Sequence, residues 1–242
     1  MVWALLLLIG VVAAVHWWEY RSDVQEYSFA QPNGLELGGV LREKSPVVLE
    51  VGPLPWRPAV AESASWTTAD GVSVGEWLKG PRSDGGDSSL AEAMELPTGL
   101  SEVDAGRAWW WLPGVRGTEV GILGKEQVRG LEWVDAERRW IGCSHGAGLT
   151  VWLVHARYRR YLGEAVGRDP WGLTAAECPW IGRVQFVEVR VRPGWALGVP
   201  AHWGFAARPS SAGAEESGGE EAWWWTGDQH SVVSLAVGVA RA

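Results

Sequence analysis

Two cysteines in 242 residues cannot build a disulfide framework, a four-cysteine zinc site or an iron–sulfur centre. Basic side chains are also few: 21 Lys and Arg against 29 Asp and Glu leave a formal charge of −8 at pH 7. Nucleic-acid proteins draw affinity from cations that neutralise phosphates, so this balance argues against a nucleic-acid partner. After the first 18 residues no apolar run approaches transmembrane length, so the remaining residues are expected to form one globular body. The residues present in quantity argue for a packed core. The chain is 47% hydrophobic and 21% charged, which disfavours disorder as its main state. Its length suits one large domain or two small ones. Tryptophan is the outlier, 19 residues against 4 Tyr and 3 Phe, and it accompanies 32 Gly. That excess by itself names no function.

Residues 1–18, MVWALLLLIGVVAAVHWW, form the one long apolar run. As a helix rising about 1.5 Å per residue it spans roughly 27 Å, enough for a bilayer core. Trp17 and Trp18 suit the interfacial belt, and Glu19 to Asp23 make an abrupt polar exit. A cleaved signal peptide would want a basic start and a small-x-small site, and neither stands here. The expectation is a single-pass transmembrane anchor over 1–18, with either side of the membrane open to the rest of the chain. Residues 19–38 read as a polar spacer and 39–242 as the domain.

Strand signals dominate that domain. Pro46 to Val51 is a short apolar run ended by Gly52-Pro53. In Val184 to Val191, Val187, Val189 and Val191 share one face while Glu188 and Arg190 share the other. Pro193-Gly194 predicts a tight turn into a strand over Trp195 to Val199. Leu149 to Tyr161 is a further candidate strand, with Trp152 and Val154 on one face and His155, Arg157 and Arg159 on the other. A closing strand is expected where Val233, Leu235, Val237 and Val239 alternate with small residues. Helices are expected at Ser88 to Leu96 and at Lys125 to Arg138, where Val128, Leu131 and Val134 recur at threefold spacing. Residues 82–88 and 210–221 read as exposed loops. The fold class expected is all-β, a sandwich or jelly roll with a few flanking helices.

The stretch Glu188 to Trp203, EVRVRPGWALGVPAHW, resembles a late segment of JmjC-type cupin domains: strand, Pro-Gly turn, strand, then Pro200-x-x-Trp203. Glu43 to Leu49 is similar to that family's opening strand, and Trp223-Trp224-Trp225 through Val239 to its closing strands. The resemblance covers residues 40–242, and its specific part is 187–205. It implies a double-stranded β-helix whose active members are Fe(II)- and 2-oxoglutarate-dependent oxygenases. Those hold iron with a His-x-Asp/Glu pair and a distal His, a triad with open positions.

Laid on this chain, the family pattern loses its ligands. Pro200 and Trp203 place the distal position at Phe205, which offers iron no donor. His202 lies three residues earlier, and an odd shift along a strand reverses the face, so it is expected to be a turn or surface residue. One register for the proximal pair puts Leu153 and His155 at the ligand positions. The other puts His145 and Ala147 there, which resembles halogenating relatives but still lacks the distal His. The resemblance therefore implies a domain without a functional iron site and without a cofactor. Its rival is an oxygenase using Fe(II) and 2-oxoglutarate on a rearranged site drawn from His145, His155, His202, His230 and Asp228.

Other chemistry is weaker. Cys143 and His145 share a face if extended, but no acid orients them. Gly142-Cys143-Ser144-His145-Gly146 fits the G-x-S-x-G spacing without the strand-turn-helix context of a nucleophile elbow. Cys178 reads as a small buried hydrophobe. Arg157, Arg159 and Arg160 make either a solvated face or an anion clamp. Trp109 to Trp111 and Trp223 to Trp225 put aromatics on both faces of any strand, so core plus interface is expected. An exported carbohydrate binder, resting only on the aromatics, is the third reading. The function expected is non-catalytic: a binding or scaffolding domain with no catalytic residues, held at a membrane through residues 1–18, with an unidentified protein partner.

Overall fold

A computed structural model describes residues 3, 6–11, 13, 14, 45–51, 116–210 and 221–230. The expected helix at 88–96, the tryptophans at 109–111, the spacer 19–38 and the closing strand at 233–239 lie outside these residues.

The described part is all-β. Nine strands run β1 Val47–Glu50, β2 Arg116–Leu123, β3 Arg129–Trp133, β4 Arg138–Gly146, β5 Leu149–Val154, β6 Phe186–Val191, β7 Trp195–Pro200, β8 Gly204–Pro209 and β9 Ala222–Gln229. They form two antiparallel sheets, ordered β1-β7-β4-β9-β2 and β3-β8-β5-β6. One core fills the space between the sheets: Ile141, Cys143, Leu197 and Trp224 from the first meet Val151, Leu153, Phe205 and Val191 from the second. Alternation along each strand produces this, because successive side chains leave opposite faces. In β6 the three valines turn inward from exposed Glu188 and Arg190, and Gly194 takes φ +82° in the turn before β7.

Two expectations on the described residues fail. The helix expected over Lys125 to Arg138 is strand β3 and the start of β4. Its threefold apolar spacing does not mark one face: Leu131 packs outward with Trp133, while Val134 enters the core between the sheets. A β-bulge lies within β3, where Arg129 pairs Ala207 and Glu132 pairs Phe205, so three residues of β3 span two of β8. The extra residue puts Arg129 and Glu132 on the same inner face. Gly130 sits in the bulge, where a Cβ would lie 2.4 Å from the Gly167 carbonyl oxygen, so only glycine lets the two backbones approach. The strand expected to run from Leu149 to Tyr161 ends at Val154. His155 Nδ1 accepts the Arg157 N–H and starts a 3-10 turn over Ala156–Tyr161, which leaves the sheet. Trp152 and Val154 do share a face, the outer one. There the β5–β6 connection packs Leu162, Ala165 and Cys178 against Val154, Leu131 and Trp133.

Tryptophan and glycine are coupled across the ladders. Four indoles lie opposite a glycine on the neighbouring strand: Trp133 on Gly204, Trp140 on Gly198, Trp224 on Gly121 and Trp225 on Gly142. A Cβ at these glycines would come within 2.0 to 3.0 Å of its partner ring. Each pair stores a large side chain in the space left by a missing one, which keeps interiors close-packed. Trp140 and Trp225 are buried on the outer face of the first sheet, so that face is not open to water at these two positions.

Candidate ionic site between the sheets

The inner face is not apolar throughout. Five charged side chains meet at one end of it: Glu119 from β2, Arg129 and Glu132 from β3, Arg139 from β4 and Asp228 from β9. Arg139 and Asp228 are direct cross-strand partners, and Nε and Nη2 of Arg139 donate to the two carboxylate oxygens at 2.6 and 2.7 Å. Arg139 Nη1 also donates to Glu132 at 3.1 Å. Arg129 donates to both oxygens of Glu132, at 2.7 and 3.1 Å, and to Glu119 at 3.2 Å. Two forked guanidinium groups thus hold Asp228 and Glu132 in bidentate geometry and Glu119 by a single bond. Burial would lower the pKa of Arg139, but its hydrogen bonds to Asp228 and the charges of Asp228, Glu132 and Glu119 outweigh burial and raise it.

The cluster sits over an aromatic floor. Arg129 lies 4.3 Å from the Trp224 ring and 5.8 Å from Phe205, and Arg139 lies 5.9 Å from Phe205 on its own approach. Phe205 is fully buried, with Glu132 and Leu153 as its neighbours on β3 and β5. The family pattern would put a distal ligand at this residue. A phenyl ring under two cations and beside an apolar leucine cannot bind Fe(II), and the nearby carboxylates are already engaged by arginines. The residues present do not fit an iron centre here.

The histidines do not repair it. His145 is exposed at the far end of β4, opposite Trp223, roughly 17 Å along the strand from Asp228. That excludes His145 and Asp228 as partners in one site. His202 occupies the β7–β8 turn at φ +66°, outside either strand, and His230 follows β9. His155 caps the 3-10 turn with its ring edge-on to Trp203, centroids 4.9 Å apart. Among the described residues no three His, Cys, Asp or Glu side chains are placed to hold a metal ion.

The thiol and hydroxyl candidates are structural as well. Cys143 is fully buried in the core and its Sγ donates to the His145 carbonyl. Burial pushes its pKa up to about 12, the direction opposite to a catalytic thiolate. Native protein should therefore resist thiol reagents at Cys143, which should react only after denaturation. Linkage gives the sign for stability: the unfolded thiol ionises near pH 9 while the folded one stays protonated, so stability falls as pH rises from there toward 12. The slope expected from this group is roughly 1.4 kcal/mol per pH unit, and Cys143→Ala should flatten it in urea titrations between those pH values. Ser144 Oγ donates to the Trp223 carbonyl from within strand β4, which is not a nucleophile elbow. Cys178 is buried and its Sγ donates to the Tyr161 carbonyl, as a small core residue would.

Reasoning on the linear chain missed Glu119, Arg129, Glu132 and Arg139: Arg129 and Glu132 fall where a helix was expected, and no element was expected at Glu119 or Arg139. The available signal was charge inside β-rich sequence, such as Arg-Gly-Leu-Glu-Trp at 129–133. No protein-family model and no curated protein matches the chain.

Proposed function

We propose that the chain is a membrane-anchored, non-catalytic binding module built on a cupin-like, JmjC-like double-stranded β-helix that lacks an iron site. Strand order supports the fold. Strands β2 to β9 supply four to each sheet, β2-β9-β4-β7 and β3-β8-β5-β6, the two interlocked Greek keys of a jelly roll. The observation that carries the non-catalytic reading is the filled position at Phe205. Where the family pattern asks for a ligand, the inner face presents a buried phenyl ring and carboxylates engaged by arginines.

Exposure supports the anchor. Described residues of the first segment are helical, and Leu6, Leu7, Leu8, Ile9 and Val11 are all exposed on consecutive positions around the axis. A helix apolar on every side finds no stable place in water, and lipid is the solvent that matches it. No helix of the described residues is long and apolar enough to cross a membrane. The length argument therefore rests on the sequence of residues 1–18.

The test is iron titration of the full chain with 2-oxoglutarate under anaerobic conditions, following metal content and the weak metal-to-ligand charge-transfer band. The expected result is folded protein without stoichiometric iron and without the band. Stoichiometric iron together with the band would overturn the reading and restore an oxygenase on a rearranged site.

A further inference from the structure

The β5–β6 connection, residues 155–185, carries a second constellation that the ionic cluster does not use. Three rings form a row along it: Tyr158 and Tyr161 are 6.5 Å apart between centroids, and Tyr161 and Trp180 5.9 Å. One arginine lies over each ring, Arg157 on Tyr158 at 4.8 Å, Arg160 on Tyr161 at 4.6 Å and Arg183 on Trp180 at 4.8 Å. Arg157 and Arg160 also donate to the phenol oxygens beside them, at 3.0 and 2.6 Å. A fourth, Arg159, lies 5.3 Å from the Trp133 ring.

None of these four guanidinium groups has a carboxylate within ion-pair distance among the described residues, whereas Arg129, Arg139, Arg168 and Arg190 each have one. The acids of the segment do not offset them: Glu177 is taken by Arg168, and Asp169 accepts the Trp171 N–H. Glu164 is the remaining one. All four arginines are exposed, and so are Trp180 and Val166 beside them. A chain of net charge −8 thus presents one positive face, interleaved with aromatics and edged by exposed apolar surface.

Arginine heads with aromatic rings beneath them match the boundary between water and lipid headgroups. We infer that this arginine–aromatic face docks on anionic lipid headgroups of the membrane entered by residues 1–18. The inference rests on the anchor reading above. A spacer over residues 19–38 reaches at most roughly 70 Å, so headgroups are present at high effective concentration whichever face turns to them. A single anchor does not by itself specify which face of the domain turns to the bilayer, and the positive face supplies that constraint. Docking turns the second sheet toward the bilayer and the first sheet away from it.

The experiment uses the full chain in nanodiscs of phosphatidylcholine alone or with phosphatidylserine, reading amide exchange along residues 155–185. Exchange there should slow in the anionic discs only, and high salt should remove the difference by screening. Arg157→Gln, Arg160→Gln and Arg183→Gln should each lower the docked fraction relative to the undocked about fivefold, and together abolish the protection. The salt dependence of the wild type tests the same point without any variant. Equal exchange in neutral and anionic discs overturns the inference. So does protection by a polyglutamate peptide in neutral discs with none from phosphatidylserine, which would make the partner an acidic protein. A chain that stays outside the discs overturns the anchor alone; the face is then read on that chain against added phosphatidylserine vesicles, by the same exchange.

Discussion

Arg139→Met should lower the unfolding free energy by about 3 kcal/mol, the penalty for leaving buried charge without its partner. Arg139 holds both oxygens of Asp228 and one of Glu132; its removal strands Asp228 on the inner face, while Glu132 keeps its two bonds from Arg129. The lower end of the usual range applies because the two side chains of the main pair keep 21% and 14% of their exposure. Urea unfolding followed by tryptophan emission would measure it. The control is the double replacement Arg139→Met with Asp228→Leu. It removes both charges and should recover most of the loss, since a well-packed apolar pair often equals a buried ion pair. Recovery would identify the cluster as a specificity device rather than a source of net stability. No recovery would mean that the cluster's other bonds depend on both residues.

Gly142→Ala should be comparably damaging for a steric reason. A Cβ at Gly142 would lie 2.0 Å from Cε2 of Trp225 and 2.1 Å from its Nε1, far inside contact distance. The indole is 1% exposed, so no rotation into water relieves the clash. Overpacking of this kind costs about 3 kcal/mol, which for a chain of this size lowers Tm by roughly 6–12 °C. Gly163→Ala is the matched control, because nothing lies within 4 Å of its Cβ position. Its stability should stay within about 0.5 kcal/mol of wild type. Pairing Gly142→Ala with Trp225→Leu should return part of the loss by vacating the space. A Gly142→Ala protein as stable as wild type would show that the tryptophan–glycine pairs are incidental.

These pairs give the composition a physical meaning that counting alone does not. Abundant tryptophan and glycine are, at four positions of the described sheets, two halves of one packing unit. The linear sequence hides this, because the partners are separated by up to 103 positions and meet only through strand register. The same limit applies to the ionic site. Its members come from β2, β3, β4 and β9, and nothing local links Arg139 to Asp228.

Where a local rule governs, the linear chain was sufficient. Alternation in 184–191, the Pro-Gly turn at 193–194 and the apolar run at 46–51 became β6, a positive-φ turn and β1. The all-β class came from the same signals. Local pattern failed at 128–134: Leu131 and Val134 keep a helical spacing, yet Leu131 packs on the outer face and Val134 in the core between the sheets. It failed again after Val154, where His155 turns the chain by bonding its own backbone rather than a neighbouring strand. By itself, then, the sequence determined the β-rich class and the strand positions with unbroken period. Tertiary structure alone decided which glycines accept which tryptophans, and which charges share the inner face. Those outcomes depend on contacts between strands distant in the chain, and a pattern read along one strand contains no term for its partner.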